Sequence, residues 1–147
     1  MPELPEVETL RRQLEKTIVG KEIAKVEVLR EKSFKGNPQS LVTKKVKKVE
    51  RRAKILIIKL LKSLKLLIHL KLTGQLVYLD KDKRVFGGHP TPDWVAELPS
   101  KHTRVVIDYT DGSKLFFNDL RVFGWLKAVE SEKELEKELA GFKGVEP

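Results

Sequence analysis

The first residues of the chain place a possible nucleophile beside two carboxyl groups. The sequence begins MPELPEVET, so removal of Met1 would leave Pro2 with a free secondary amine. An α-amino group has a pKa of about 7.7–8.0 and is therefore partly uncharged at neutral pH. Attack of such an amine on the aldehyde-equivalent carbon of a sugar gives an iminium ion, a covalent intermediate that divides a difficult reaction into easier steps. Glu3 and Glu6 lie within one helical turn of Pro2 and are candidates for moving protons.

The same prolines also fit a purely structural role. Proline is well tolerated in the first turn of a helix, where its missing N–H would have no intrahelical partner. Pro2 and Pro5 therefore fit a helix start that has no chemical function. The opening motif alone leaves both interpretations open, and the remaining sequence is needed to separate them.

Three further blocks combine basic side chains with glycine or apolar residues. They read RRAK at residues 51–54, IHLKLTG at 68–74 and NDLRVFG at 118–124. Together with the opening motif, and in this order, they resemble the formamidopyrimidine-DNA glycosylase family, enzymes that excise oxidised purines and nick the strand. Leu4 is similar to the formamidopyrimidine branch rather than to the endonuclease VIII branch. The resemblance covers residues 1–125 and rests on four colinear motifs, each of which is weak by itself.

The resemblance assigns catalytic roles to four residues. Pro2 matches the nucleophile, and Glu3 matches the acid that acts on the deoxyribose ring oxygen. Glu6 matches a second carboxylate of this network, with complementarity to the helix dipole as the alternative. Lys54 matches a lysine that contacts a phosphate beside the lesion, although a lysine beside a buried strand also fits simple extension of its ammonium group to solvent. The resemblance further implies strand cleavage by β,δ-elimination after the iminium ion forms.

The resemblance also assigns DNA contacts to four residues. His69 matches a phosphate contact, with a role in packing as the alternative. Leu72, Arg121 and Phe123 match three side chains that the family inserts into the duplex when the damaged base leaves the stack. For Phe123 the alternative is packing in the core. Val122 departs from the family, which usually has a basic residue there, so a phosphate contact or a structural contact is expected to be missing, and with it part of the affinity.

Composition is consistent with a nucleic-acid partner. The 147 residues include 30 Lys and Arg against 21 Asp and Glu, which gives a formal net charge of +9. Such a charge favours polyanions, but a ribosomal or membrane-surface protein would share it. The sequence contains no cysteine, which excludes disulfides and cysteine-ligated zinc within it. A hydrophobic fraction of 40% is typical of a globular domain.

The domain organisation and location follow from these observations as expectations. The family carries a helix-two-turn-helix domain and a zinc finger after the catalytic domain. We expect residues 1–147 to form the catalytic domain alone, without those two domains and without a metal or other cofactor. Acidic residues stand where a secretory signal is basic, and no apolar run approaches ~20 residues. We therefore expect a cytoplasmic, nucleoid-associated monomer of prokaryotic type, with no membrane partner, that acts on double-stranded DNA containing oxidised purines or abasic sites.

Hydrophobic periodicity predicts a mainly β fold with flanking helices. Apolar residues recur every three or four positions in Leu4, Val7, Leu10, Leu14 and Ile18, which predicts a helix over residues 4–19. Strands are predicted at residues 24–28, where apolar and polar residues alternate, at 55–58 and 66–68, which are apolar on both faces, and at 103–110, 114–118 and 123–129. The resulting fold class is a β-sandwich of two antiparallel sheets in which the N-terminal helix carries the active site.

Two further segments complete the prediction. Ser131 and Glu134 have the spacing of a capping box, which predicts a short helix that ends near Gly141. Residues 80–102 contain two adjacent glycines and three prolines and are predicted to form an irregular loop. This loop receives no functional assignment.

The sequence leaves two other functional classes open. The main alternative is a non-catalytic basic module that binds DNA through shape and charge, because a retained Met1 would convert the Pro2 nitrogen into an amide that cannot attack. A basic ribosome-associated protein is a third interpretation, which explains the charge but not the Pro2 and Glu3 pair or the ordered motifs.

Overall fold

Two five-stranded β-sheets face each other across one apolar core. The computed structural model describes residues 3–140, and Pro2, the predicted nucleophile, lies outside them. The elements are α1 (Leu4–Ile18), β1 (Ile23–Val28), β2 (Phe34–Lys35), β3 (Val46–Arg52), β4 (Ile55–Leu60), β5 (Lys65–His69), β6 (Gly74–Leu79), β7 (Arg84–Gly88), β8 (Thr103–Tyr109), β9 (Lys114–Asp119), β10 (Trp125–Val129) and α2 (Glu132–Ala140). One sheet has the strand order β1-β8-β9-β6-β7 and the other β2-β10-β5-β4-β3. The short pair β2–β10 is parallel, and the other named pairs are antiparallel, so the predicted sandwich is confirmed.

The second sheet is apolar on both faces because both faces are covered. Leu56 and Ile68 are paired in register and point into the space between the sheets. Ile57 and Leu67 point to the opposite face, where they pack with Leu135 of α2. Strands buried on two sides lose the polar alternation of a half-exposed strand. The continuous apolar runs of β4 and β5 therefore follow from a layer of helix on one side and a sheet on the other.

Helix α1 closes one open side of the sandwich, where it packs against the edge strands β3 and β7. The predicted apolar stripe is buried from Val7 to Ile18. Each such side chain contributes about 1.5–3 kcal/mol when it is removed from water. Glu15 and Arg11 also bond the backbone of Val49, since Glu15 Oε2 accepts from its amide at 2.6 Å and Arg11 Nη1 donates to its carbonyl at 3.2 Å. The helix thereby satisfies part of a sheet edge that would otherwise be open.

Residues 80–102 are more regular than the sequence predicted. β7 pairs with β6 inside this segment, so the prediction of an irregular loop was wrong for these five residues. Arg84 fixes the backbone after the strand, because its guanidinium donates to the carbonyl oxygens of Trp94 and Ala96 at 2.6 Å each. Phe86 packs on the outer face of the first sheet. The strand was missed because its alternating pattern covers only a few residues between turn formers.

The other boundaries follow the predictions closely. Helix α1 ends at Ile18, one residue before its predicted end, and the last strand begins at Trp125 rather than at residue 123. Half of the predicted capping box of α2 is present, because the Glu134 amide donates to Ser131 Oγ at 3.1 Å, whereas the Glu134 carboxylate accepts from the amide of Glu130 at 2.9 Å and not from that of Ser131. The predicted helix end at Gly141 lies outside the described residues. Within residues 3–140, no helix is both long and apolar enough to cross a membrane.

Candidate functional site

Two neighbouring loops present the residues that the sequence assigned to duplex insertion. Leu72 lies in the β5–β6 loop and is 41% exposed, and Phe123 lies in the β9–β10 loop and is 50% exposed. Arg121 is also exposed, with its guanidinium carbon 6.0 Å from the centroid of the Phe123 ring, within the range of a cation–π contact. Large apolar side chains this exposed do not stabilise the core. The packing alternative for Phe123 is therefore excluded.

A buried hydrogen-bond cluster joins these two loops. Thr73 donates its hydroxyl hydrogen to Asp119 Oδ1 at 2.5 Å and accepts the amide hydrogen of Arg121 at 3.0 Å. The other oxygen of Asp119 accepts from the amide of Gly124 at 2.7 Å. Asp119 is fully buried. Sequence reasoning assigned no role to Thr73 or Asp119, although both stand inside the quoted motifs.

The motif glycines are needed for the close approach of backbone segments. A Cβ atom on Gly74 would lie 2.5 Å from the carbonyl oxygen of Leu70, and one on Gly124 would lie 2.7 Å from that of His69. A carbon atom that does not form a hydrogen bond is not tolerated this close to an oxygen atom in a packed interior. Gly74 therefore allows the β5–β6 loop to fold tightly back on Leu70, and Gly124 allows the β9–β10 loop to approach the end of β5.

Each loop also contains a residue in the left-handed region. Lys71 has φ +53° and Val122 has φ +60°. A β-branched residue in this region is strained, typically by about 1–3 kcal/mol. Val122 is buried at 9% exposure, so this position offers an inward apolar side chain.

His69 is held as a neutral ring at the end of β5. Burial lowers its pKa to about 4, with smaller contributions from the charges of Lys71 and Lys54. Its Nδ1 accepts from the amide of Lys71 at 3.1 Å, which assigns the ring proton to Nε2. The ring lies 5.7 Å from that of Trp125. At neutral pH this histidine offers a hydrogen-bond donor and no charge.

Lys54 lies next to His69 on the same end of the second sheet. It is the second residue of the two-residue turn between β3 and β4, and it is half-buried. The following residue, Ile55, pairs with His69 across the β4–β5 ladder. The first turn residue, Ala53, has φ +53°, a geometry more usual for glycine. The structure thus brings together the two residues that were predicted to bind phosphates.

An ion-pair network connects this turn with α1. Glu8 accepts a bidentate pair of hydrogen bonds from Arg11 at 3.0 and 2.9 Å and a third from Arg51 Nε at 2.9 Å. Arg51 Nη1 in turn donates to the carbonyl oxygen of Ala53 at 2.8 Å. The hydrogen bonds from Arg11 and then Arg51 lower the pKa of Glu8 to about 2. Sequence reasoning missed Glu8, which links the helix to the turn that carries Lys54.

Glu3 and Glu6 lie at the start of α1, as their spacing predicted. Glu3 precedes the helix, and its carbonyl oxygen accepts from the amides of Glu6 and Val7 at 3.0 and 3.1 Å. Both glutamates are exposed. Glu6 borders a cleft of about 270 Å³ between α1 and β7, whose far wall includes Trp94. The positive end of the helix favours carboxylates at this position.

Lys35 is a basic neighbour of the site that the motifs did not include. Lys35 lies on β2, which pairs in parallel with β10, and its Nζ lies 5.1 Å from the centroid of the Trp125 ring. Trp125 pairs in register with His69, which pairs in turn with Ile55. Lys35, Lys54 and Lys71 therefore surround one buried aromatic pair. We call this group of three lysines with His69 and Trp125 the basic strip.

Sequence comparison identifies relatives over the whole chain. The family model described as the formamidopyrimidine-DNA glycosylase N-terminal domain matches residues 1–126. The formamidopyrimidine-DNA glycosylase of Ligilactobacillus salivarius is 35% identical over 151 residues, covering 100% of this chain and 50% of that protein. The protein of the same name from Pelotomaculum thermopropionicum is 38% identical over 156 residues, again with 100% and 50% coverage. The chain thus spans about half the length of these curated relatives.

Solved structures show the same fold. Lactococcus lactis Fpg in complex with DNA that contains an abasic site has a TM-score of 0.75 and 28% identity, covering 94% of this chain and 48% of that chain. A Lactococcus lactis Fpg mutant bound to DNA containing Fapy-dG has a TM-score of 0.76 and 29% identity, covering 95% and 47%.

Proposed function

Because this chain belongs to the formamidopyrimidine-DNA glycosylase family, we propose that it is a DNA-repair domain that binds damaged duplex DNA and excises oxidised purines. One arrangement in the molecule carries this proposal. Two loops that a buried hydrogen-bond cluster joins expose the side chains of Leu72, Arg121 and Phe123. Apolar side chains that wedge into a duplex must protrude from the surface in this way, and an adjacent arginine can contact the DNA.

The proposed chemistry begins at the N-terminus. The deprotonated Pro2 amine attacks C1′ of the damaged nucleotide, the base leaves with the electron pair of the glycosidic bond, and the bound amine gives up its proton. The C1′–O4′ bond then breaks with its electron pair going to the ring oxygen, which leaves an iminium ion between Pro2 and C1′. Glu3 delivers a proton to the deoxyribose ring oxygen, and Glu6 supports this transfer. Loss of the 2′ proton from the iminium ion then expels the 3′ phosphate, and a second elimination expels the 5′ phosphate. The domain would thus act as an abasic-site lyase as well as a glycosylase.

The proposed DNA contacts divide into two groups. Lys54 and His69 bind phosphates beside the lesion, which positions the strand without reading its sequence. Leu72 and Phe123 fill the space left by the extruded base, and Arg121 hydrogen-bonds the unpaired base opposite. Extrusion costs a few kcal/mol of lost stacking and pairing, which such wedges offset.

The proposal also covers the oligomeric state, the cofactors and the location of the protein. We assign the reaction to a monomer that uses no metal or other cofactor from this chain, since every step above is carried by amine, carboxylate and phosphate-binding side chains. The relatives are bacterial proteins, so we place the activity in the cytoplasm on nucleoid DNA that contains oxidised purines or abasic sites.

Borohydride trapping tests the proposed chemistry. With Met1 removed, as verified by intact mass, the chain should form a covalent adduct with abasic-site DNA through the Pro2 nitrogen after reduction. An N-terminally acetylated preparation is the matched control, because it keeps the fold and removes the nucleophile. Peptide mapping of the cross-link is essential, since lysines react slowly in the same way. An adduct on Lys54 that persists when the terminus is blocked would leave the non-catalytic DNA-binding module, supported by the +9 charge, as the better account.

A further inference from the structure

The loops that carry the proposed wedge residues are joined by a two-residue contact at their base. We infer that Thr73 and Asp119 are positioning residues, which hold the two loops in a single arrangement so that Leu72, Arg121 and Phe123 meet the duplex together. This inference rests on the proposed function, because it explains how the assigned wedge is built. We call the Thr73–Asp119 contact, with its bonds to the amides of Arg121 and Gly124, the loop clamp.

The loop clamp engages the Thr73 hydroxyl both as a donor and as an acceptor. The hydroxyl donates to Asp119 Oδ1 and accepts from the amide of Arg121. Asp119 Oδ2 accepts from the amide of Gly124, at the other end of the same loop. The backbone of the β9–β10 loop is therefore held at Arg121 and at Gly124, on both sides of Phe123. The group that holds the Arg121 amide is Thr73, which belongs to the β5–β6 loop.

Because the cluster is buried, the loss of its hydrogen bonds would cost free energy. Asp119 is 0% exposed and Thr73 is 8% exposed. A buried carboxylate that lost its donors would retain its desolvation cost without compensation. The backbone of Asp119 is fixed as well, since its amide donates to the carbonyl of His102 and its carbonyl accepts from Arg104 Nε, both at 2.9 Å. The carboxylate is thus a rigid anchor to which both loops attach.

The wedge residues need such an anchor because they have no core of their own. Leu72 and Phe123 are half exposed, so the packing of their own side chains does not hold them in place. Lys71 and Val122 hold left-handed φ values, which persist only where the surroundings impose them. A wedge that is ordered before it meets DNA avoids part of the entropy cost of ordering on binding. Preorganisation is therefore the expected effect of the clamp.

A matched set of threonine variants separates positioning from general stability. Thr73→Val removes the hydroxyl while preserving shape, and Thr73→Ser retains it. Thr103→Val is the control, because Thr103 is also buried and its hydroxyl also donates to a side-chain oxygen, that of Asn118 at 2.7 Å, and accepts from a backbone amide, that of Ser100 at 2.9 Å. The two valine variants lose equivalent bonds in different places.

Amide hydrogen exchange on the free chain gives the first readout. We expect the Arg121 and Gly124 amides to exchange roughly 5- to 10-fold faster in Thr73→Val, because a hydrogen bond in the clamp is lost. Thr73→Ser should restore the protection, and Thr103→Val should leave these two amides unchanged. Unchanged exchange at both amides in Thr73→Val would overturn the inference without reference to DNA.

A DNA readout links the clamp to the wedge. The probe is a duplex with 2-aminopurine opposite a tetrahydrofuran abasic analogue, whose fluorescence rises when side chains unstack the opposite base. We expect Phe123→Ala to abolish the rise and Thr73→Val to reduce it several-fold, with Thr73→Ser and Thr103→Val close to the unmodified chain. An unmodified chain that gives no rise at a saturating concentration would refute the proposed insertion and the inference with it. A full rise in Thr73→Val, with Phe123→Ala inactive, would refute the inference alone.

Discussion

Glu8 and Arg51 form a hydrogen-bonded ion pair between the N-terminal helix and the second sheet. Arg51 Nε lies 2.9 Å from Glu8 Oε1, although the two residues are 43 positions apart. Arg51 also holds the carbonyl of Ala53, the residue before Lys54. The first turns of α1 and the turn that carries Lys54 are therefore coupled through one guanidinium group. This connection fixes the position of the start of the helix relative to the turn at Lys54.

We predict that Glu8→Gln weakens the fold above pH 4.5 and has progressively less effect as the pH falls. The pKa of Glu8 is lowered to about 2 in the folded chain from an ordinary value of 4.5. Stability from a depressed carboxyl pKa is present above the unfolded value and is lost as pH falls through the folded value. The difference in Tm between the unmodified chain and the variant should therefore be largest near neutrality and approach zero near pH 2. Thermal melts monitored by circular dichroism across this range measure it.

Glu27→Gln, which changes an exposed carboxylate on β1, is the matched control for this experiment. It should shift Tm little at any pH, because isolated surface charges contribute little to stability. A Tm difference for Glu8→Gln that stays constant down to pH 2 would mean that the ion pairs are not the source of the effect.

We predict that the basic strip contributes to DNA binding in two distinct ways. Lys35→Gln and Lys54→Gln should each lower the slope of log affinity against log salt by about 0.9, the value for one phosphate contact on B-DNA. His69→Gln should weaken binding without changing that slope at pH 7, because His69, with a pKa of about 4, is uncharged there. Titration of a fluorescent duplex with a single abasic analogue at several salt concentrations measures all three slopes.

Lys25→Gln on β1 provides the control, since Lys25 is exposed on the other sheet. It removes the same charge at a distance from the strip and should leave the slope almost unchanged. If Lys25→Gln and Lys35→Gln changed the slope of log affinity against log salt equally, DNA binding would depend on net charge alone and not on the position of the lysine. The unmodified chain should itself bind weakly with a steep salt dependence, and nanomolar affinity insensitive to salt would contradict the electrostatic account.

The sequence predicted the parts of the fold that depend on local periodicity. The apolar stripe of α1 and the buried runs of β4 and β5 needed only spacing and hydrophobicity to be recognised. The sequence did not predict β7, because this strand is held by pairing with β6 and by the hydrogen bonds of Arg84, and neither contact produces a local sequence pattern. Long-range partners override weak local preference in such segments.

The site residues also divide into those that a local motif indicates and those that only long-range contacts bring together. The sequence predicted roles for Lys54, His69, Leu72, Arg121 and Phe123 because these residues stand in recognisable motifs. Lys35 was missed, since only the parallel pairing of β2 with β10 brings it to Trp125. Thr73 and Asp119 stood inside two motifs, but a polar residue in a motif does not disclose that its partner lies 46 positions away. Contacts of this kind become visible only when the topology is known.

We predict that Gly124→Ala destabilises the chain more than Gly87→Ala. A Cβ atom at residue 124 would meet the backbone oxygen of His69 at 2.7 Å, and backbone cannot move aside easily. A Cβ atom at residue 87 would meet the side chain of Leu10 at 3.1 Å, a longer contact that a smaller shift relieves. We expect a loss of about 1–3 kcal/mol for Gly124→Ala, the usual range for overpacking, and a smaller one for Gly87→Ala. Urea unfolding of both variants measures the difference, and equal losses would contradict the argument.

We predict that Leu72→Ala and Phe123→Ala impair removal of an oxidised purine from duplex DNA more than cleavage at a preformed abasic site. Both side chains are exposed, so their truncation should cost little stability. Their assigned work is to hold open a helix from which a base has been extruded, and an abasic site has less stacking to disrupt. Single-turnover assays on the two substrates, with Met1 removed from every preparation, give the ratio of the two rates.

Val95→Ala is the control for this last comparison, because Val95 is the most exposed of the large apolar side chains in the described part of the chain, at 76%, and lies outside both loops. It should leave both rates unchanged. For the wedge variants, equal losses on the two substrates together with a lowered Tm would indicate damage to the fold. Equal losses with an unchanged Tm would instead place Leu72 and Phe123 in a step common to both reactions, such as DNA binding, and would refute their assignment to base extrusion.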